Sequence, residues 1–326
     1  MGKKKAVGLI SGGLDSILAL QLVKELGFEI IGLYILTPFI SGFGEKSIEN
    51  LKKLSKEMDF KLEVIEVSDD YIEIIRSPEF GYGKNLNPCI DCHIYMTKKA
   101  KEVMEKEKAE FVFTGEVLNQ RGKSQNYNAL KIIEEKSSLK GKLLRPLSAL
   151  HLPPTEMEER GIIDRNKLLG IKGKERKLQL YLAEMKNLKY FGSPAGGCLL
   201  TDPQFCKRLK DLFEHQKEIK LNHCYLLQIG RHFRISPTTK LIISRNKKEK
   251  EKMLLLMDET HYLLEPSSFS EPCGIICGEI SPLCFKIFSA YAPAKSSIIL
   301  KNRNGEILEV RKVKKEKKEK FREFLI

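Results

Sequence analysis

Two short segments of this 326-residue chain carry residue types whose spacing can do chemistry. The first is Ser11-Gly12-Gly13-Leu14-Asp15-Ser16, which joins an apolar run at 6–10 to a stretch with helical spacing at 14–26. A strand-to-helix turn of this kind converges backbone N–H groups and a helix N-terminus on an anion. Gly12 and Gly13 let a phosphate approach the backbone, and the Ser11 and Ser16 hydroxyls supply further donors. The spacing is neither that of a Gly-Lys-Ser/Thr loop nor that of G-x-G-x-x-G.

The second segment is Asn87-Pro88-Cys89-Ile90-Asp91-Cys92, two thiols three apart at the start of a helical stretch running to 104. Such a pair serves as a zinc half-site, a redox couple or two ligands of an iron–sulfur cluster. A second C-x-x-C, which a zinc ribbon needs, is absent from the sequence. Gly192-Ser193-Pro194-Ala195-Gly196-Gly197-Cys198 offers a third thiol on a glycine-rich stretch. Three cysteines around one [4Fe–4S] cluster leave one iron open to a substrate atom.

These residues need a scaffold. Strand-like runs at 6–11, 28–35, 61–67, 111–114 and 143–147 alternate with helical stretches, 48–58 among them. That alternation predicts right-handed crossovers and an α/β fold, a doubly wound, mostly parallel sheet with ligands beyond the carboxyl ends of its strands. After Thr201 the elements shorten and prolines recur, so a smaller α+β domain is expected, with strands at 225–229 and 240–244. The expected domains are 1–202 and 203–326. The end, 311–322, is densely basic and is expected as a solvated helix or an RNA-contacting arm.

Composition narrows the setting. Fifty-seven Lys and Arg against 43 Asp and Glu give a net charge of +14, which suits a polyanionic partner. No signal peptide or membrane span is read, so a cytoplasmic protein without a membrane partner is expected. Eight cysteines in that reducing setting are buried filler, ligands or reactive thiols rather than disulfides. Arg231, His232, Arg234 and Arg245, with Phe233 among them, fit phosphate contacts and base stacking. Cys206, Cys224, Cys273, Cys277 and Cys284 are expected to be core or incidental.

The full run at 11–16 resembles the PP-loop ATP pyrophosphatase superfamily. Asn-Pro-Cys-x-x-Cys, Thr114-Gly115-Glu116, Asn119-Gln120-Arg121, Ser124-Gln125, Leu144-Arg145-Pro146-Leu147 and Gly197-Cys198 are similar to its tRNA thiouridine synthases, over about 5–202. The resemblance is to both the 4-thiouridine synthases and the 2-thiouridylases. It implies ATP on residues 11–16, Asp15 helping to place Mg²⁺ or the phosphates, and Gly115 near the nucleotide. It implies a uridine carbonyl oxygen adenylated and then replaced by sulfur. Cys89, Cys92 and Cys198 match the three cysteines that hold a [4Fe–4S] cluster in cluster-dependent members; other members pass a persulfide sulfur instead. The sulfur donor would be inorganic sulfide or a cysteine desulfurase, the substrate tRNA, and the assembly a homodimer. Residues 223–264, with Ile229-Gly230-Arg231-His232-Phe233-Arg234, resemble the RNA-binding part of the NFACT ribosome-associated proteins. That region is expected to replace the N-terminal RNA-binding module of the 4-thiouridine synthases. Alternatives are a PP-loop enzyme adenylating a small molecule and a ribosome-associated RNA-binding factor.

Overall fold

The computed structural model describes residues 3–188, 197–268, 272–293 and 296–326, and the chain divides into two compact units, 1–198 and 199–326.

In the first unit, strands β1 (Lys5–Leu9), β2 (Glu29–Leu36), β3 (Lys61–Glu66), β4 (Phe111–Thr114) and β5 (Leu143–Leu144) form a parallel sheet. Helices α1 (Leu14–Glu25), α2 (Glu45–Glu57), α3 (Asp70–Arg76), α4 (Cys89–Lys106) and α5 (Tyr127–Lys136) lie between them in sequence. Helices α6 (Glu156–Glu159) and α7 (Lys177–Met185) follow. Burial explains the sequence texture. Interior β4 is buried at all four positions and reads as three apolar residues in a row before Thr114, whereas edge strand β3 alternates. Helix α1 buries Leu14, Ile17, Leu18, Leu20 and Val23, while α2 buries only Leu51 and Leu54. Strand β5 ends before Pro146, which has no N–H for the ladder, so the run expected to 147 stops at Leu144.

The strand order is β3-β2-β1-β4-β5. From β1 the chain winds outward to β2 and β3, then returns to the other side for β4. The order therefore reverses between β1 and β4, and a crevice opens at their carboxyl ends. Residues 11–16 leave one of those ends and Thr114-Gly115-Glu116 the other.

The second unit begins with α8 (Pro203–His215), whose first turn is set by Pro203 and by Asp202, which accepts from Phe205 N at 2.7 Å. Then follow α9 (Leu221–Leu226), β6 (Arg231–Ser236), β7 (Thr239–Ile243), α10 (Lys247–Leu256), β8 (His261–Pro266), β9 (Gly274–Gly278), α11 (Pro282–Ser289), β10 (Ser297–Lys301) and β11 (Ile307–Lys312). The strands pair antiparallel in the order β11-β10-β8-β9-β7-β6. One sheet face carries Phe233, Leu241, Ile276 and Leu264 against Phe285 and Phe288 of α11. The strand expected at 225–229 is instead the end of α9 and a turn. Local bonds from Leu227 N to Cys224 O and from Ile229 N to Leu226 O bury this apolar run without a sheet partner. The basic end is strand β11 to Lys312 and then 3₁₀ turns at Lys318–Phe324, not a continuous helix. Among the described residues no helix is long and apolar enough to cross a membrane.

Candidate active site

The turn after β1 is shaped for a ligand. Gly12 has φ +76°, a conformation that side chains disfavour. Ser16 Oγ donates to Gly13 O at 2.8 Å, and Gly13 N donates to Ser11 Oγ at 3.3 Å. No side chain caps α1 at Gly13, so its positive end is open to an anion. Gly115 closes the crevice from the β4 side: a Cβ there would lie 2.5 Å from Ser16 N. Only glycine permits this close approach to the backbone of Asp15 and Ser16.

Asp15 sits in the first turn of α1. Its Oδ2 accepts from Gln120 Nε2 at 2.7 Å and lies 3.6 Å from the Arg176 guanidinium. Its Oδ1 is buried with no hydrogen-bond partner among the described residues. A buried anionic oxygen without a donor is costly, and a divalent cation is the partner it suits.

Glu116 ties three elements together. Arg145 Nε donates to its Oε2 at 3.0 Å, Thr114 Oγ1 donates to Oε2 at 3.0 Å, and His93 Nδ1 of α4 lies 2.8 Å from Oε1. Arg145 also donates to Glu134 Oε2 at 3.2 Å and Leu130 O at 3.0 Å of α5. Burial works to raise the Glu116 carboxyl, but Arg145 and His93 prevail and hold it down at about 2. The pair Gly115-Glu116 thus touches both the phosphate turn and the first turn of α4.

That first turn carries the two thiols. Cys89 Sγ donates to Asn87 Oδ1 at 2.9 Å, and Asn87 Nδ2 donates to Cys198 Sγ at 3.6 Å. Cys198 is brought in by a bridge to Ile40, with Ser41 N donating to Gly197 O at 3.2 Å. Cys92 Sγ shares a hydrogen bond with the Tyr71 hydroxyl at 2.9 Å. Residues 87, 89, 92 and 198 therefore meet in one half-buried group, whereas 192–196 lie outside the described residues. Burial pushes the Cys92 thiol up to about 12, with Cys198 and Cys89 adding to it, and burial raises Cys89 as well. Such thiols are protonated at neutral pH unless a metal centre supplies positive charge. The donor set fits an iron–sulfur cluster: three soft ligands, close together, two from one helix turn and the third from a distant segment.

Residues that sequence reasoning missed are Arg176, Gln179, His93, Tyr71 and the Asn87 side chain. Arg176 and Gln179 stand three apart at the start of α7, so they share a helix face, and Gln179 interrupts the apolar stretch of that helix. That interruption was the available signal.

In the second unit the four expected RNA contacts separate. His232 is wholly buried, donates from Nε2 to Ile229 O at 2.8 Å, and is pushed well below the usual imidazole range by burial and then by Lys240 and Arg208. Arg234 is committed to Asp211, bonding Oδ1 and Oδ2 at 2.8 Å each, with Lys240 also 2.8 Å from Oδ2. Both side chains are thus spent on contacts within the unit. Arg231 lies 5.2 Å over the Tyr291 ring, and exposed Arg245 pairs with Glu249 at 2.9 Å. Cys206, Cys224, Cys273 and Cys284 are buried, and Cys277 is half-buried on β9.

Among the described residues, His223, Asp258 and His261 bring ligand atoms within 4.8 Å of one another. Each imidazole, however, takes a backbone N–H on Nδ1, from Lys220 at 3.1 Å and from Asp258 at 3.0 Å. His223 Nε2 then lies 2.9 Å from Asp258 Oδ2. This is a hydrogen-bonded tie between α9 and β8, since a ligating histidine donates from its second nitrogen.

With this geometry in hand, similarity to known proteins can be placed. Residues 2–152 match the family model described as thiamine biosynthesis protein (ThiI), and residues 230–325 match the NFACT protein RNA binding domain. The first unit is thus similar, over less than half of the chain, to the ThiI family model. The tRNA-specific 2-thiouridylase MnmA of Sulfurimonas denitrificans is 32% identical over 129 residues, covering 38% of this chain and 37% of its own. That of Campylobacter curvus is 30% identical over 95 residues, 28% of each chain. The chain spans about a third of the length of such relatives. Among solved structures, the U34-tRNA thiolase NcsA from Methanococcus maripaludis with its [4Fe-4S] cluster has a TM-score of 0.36 at 18% identity, over 70% of this chain and 71% of that one. A 4-thiouridine synthetase–RNA complex with bound ATP scores 0.37 at 20% identity, over 69% and 52%.

Proposed function

We propose, from the ThiI-type domain at 2–152 as premise, that the chain is an ATP-dependent tRNA sulfurtransferase making thiouridine. One observation carries this reading: Gly115-Glu116 touches the uncapped phosphate turn on one side and, through His93, the helix turn bearing Cys89 and Cys92 on the other. The nucleotide turn and the thiols are thereby neighbours on one edge of one sheet. Similarity to tRNA-specific 2-thiouridylases over 95 to 129 residues supports tRNA as substrate.

In this mechanism the N–H groups and hydroxyls of residues 11–16 hold the ATP phosphates, and Asp15 Oδ1 is offered to Mg²⁺. A uridine carbonyl oxygen attacks the α-phosphorus, and the bond to pyrophosphate breaks. Sulfur then adds at the same ring carbon, and AMP leaves with the original oxygen. Activation is required because a carbonyl oxygen leaves only once it carries phosphate. The base must leave any stack to enter the crevice. Cys89, Cys92 and Cys198 would hold the [4Fe–4S] cluster, which supplies an open iron position for sulfur delivered as inorganic sulfide or by a cysteine desulfurase. Glu116 and Arg145 keep the β4 end rigid beside the reacting groups.

RNA contact is assigned to the second unit, supported by its match to an RNA-binding domain. Arg231, exposed Arg245 and exposed Lys312, Lys314, Lys317 and Lys318 are the cations offered. The decisive experiment is nucleoside mass spectrometry of tRNA from a strain lacking the gene, in which one thiouridine should vanish and return on complementation. Unchanged thionucleosides, with pyrophosphate release elicited by a small substrate, would replace this reading by small-molecule adenylation.

A further inference from the structure

The Asp15 carboxylate is held from one side only. Gln120 Nε2 donates to Oδ2 at 2.7 Å, and Gln179 Nε2 donates to Gln120 Oε1 at 3.1 Å. Arg176, one helical turn before Gln179, approaches the same oxygen at 3.6 Å. Gln179 has no solvent exposure, and its Oε1 has no partner among the described residues. Burying an amide with an orphan acceptor costs about 1–3 kcal/mol, a cost that core packing alone would remove with Leu or Met. The amides can run in one sense only: Gln120 must donate to a carboxylate, so its oxygen faces Gln179, whose nitrogen must donate in turn. The relay thus saturates Oδ2 and leaves Oδ1 as the single open valence of Asp15.

We propose that Gln179, Gln120 and Arg176 are positioning residues that lock the Asp15 carboxylate so that Oδ1 meets the divalent cation of the bound nucleotide. This rests on the nucleotide reading above. Helix α7, a neighbour of α1, is then a sensor of the phosphate turn rather than mere cover. Partners that orient a ligating carboxylate are worth roughly 10–100-fold in metal affinity.

The test is calorimetric binding of ATP to the full-length protein across a Mg²⁺ series, a readout that needs neither tRNA nor turnover. Gln179→Met keeps the volume and removes the amide. Its half-saturating Mg²⁺ should rise roughly tenfold, with ATP affinity in the absence of metal little changed and thermal stability retained. Mg²⁺ curves of folded Gln179→Met that coincide with the parent overturn the relay. Should Gln179→Met not fold, Gln120→Met and Arg176→Gln report the same quantity, and coincident curves there overturn it equally. A parent protein that binds no ATP at any Mg²⁺ concentration overturns the nucleotide reading itself, an outcome distinct from parent binding with unaltered variants.

Discussion

The Glu116 carboxylate and the Arg145 guanidinium meet at 3.0 Å with side chains only 7% and 3% exposed, joining the ends of β4 and β5 beside the crevice. Removing one partner leaves the other charge buried. Arg145→Met should therefore cost about 3–5 kcal/mol in chemical denaturation, and adding Glu116→Gln should return part of that loss. The sign with pH follows from the lowered carboxyl: its contribution is complete above about 4.5 and fades as pH falls toward about 2. Glu116→Gln should flatten the stability profile in that window.

Gly115→Ala places a methyl 2.5 Å from the Ser16 amide, where backbone rather than a flexible side-chain tip must yield. Overpacking of this kind costs on the order of 1–3 kcal/mol. ATP affinity measured by calorimetry should fall at least roughly tenfold if, as proposed, the displaced N–H is one that holds a phosphate. Unchanged affinity would detach Gly115 from the site.

Cys89→Ser, Cys92→Ser and Cys198→Ser proteins, purified and reconstituted anaerobically, should each lose most iron and acid-labile sulfide while keeping their circular dichroism. Cys206→Ser, in the second unit, should retain both. Full thiolation by an iron-free preparation would remove the cluster from the mechanism.

Acid should loosen the second unit first. Burial holds His261 down to about 4 and His232 well below its usual range, so the unfolded chain takes up protons near pH 6.5 that the folded chain refuses. Stability is full above pH 6.5 and declines as pH falls from there toward 4. Urea midpoints of an isolated 199–326 segment, if it folds, or domain-resolved hydrogen exchange of the whole chain, would trace this decline.

Binding of tRNA should weaken steeply with salt. Replacing exposed Lys317 or Lys318 with Ala should lower the slope of log affinity against log salt by roughly one each. Arg234→Ala should instead lower the thermal midpoint and leave the slope unaltered, because its charge is spent on Asp211.

The legible parts of this molecule were those encoded locally. Residues 11–16 announce their turn because Gly12 needs its left-handed backbone, and the parallel sheet follows from strands and helices in alternation. Cys89 and Cys92 were legible as a helix-start pair. What escaped depends on contacts between distant segments. Nothing in the pattern Arg231-His232-Phe233-Arg234 says that an aspartate 23 residues earlier will claim the second arginine, or that His232 points into the unit. Tyr225-Leu226-Leu227 is equally apolar as strand or helix, and only the absence of a ladder partner decides. The Asp15 relay was hidden because Gln120 and Gln179 are far apart in sequence and individually unremarkable.

The reversal of strand order between β1 and β4 also bears on how the protein is built during synthesis. The phosphate turn emerges from the ribosome about a hundred residues before Gly115, and Cys198 later still. A nascent chain can therefore complete neither the proposed nucleotide site nor its thiol group until most of the first unit has been made, so on this reading topology alone disfavours premature cofactor capture by a partial chain.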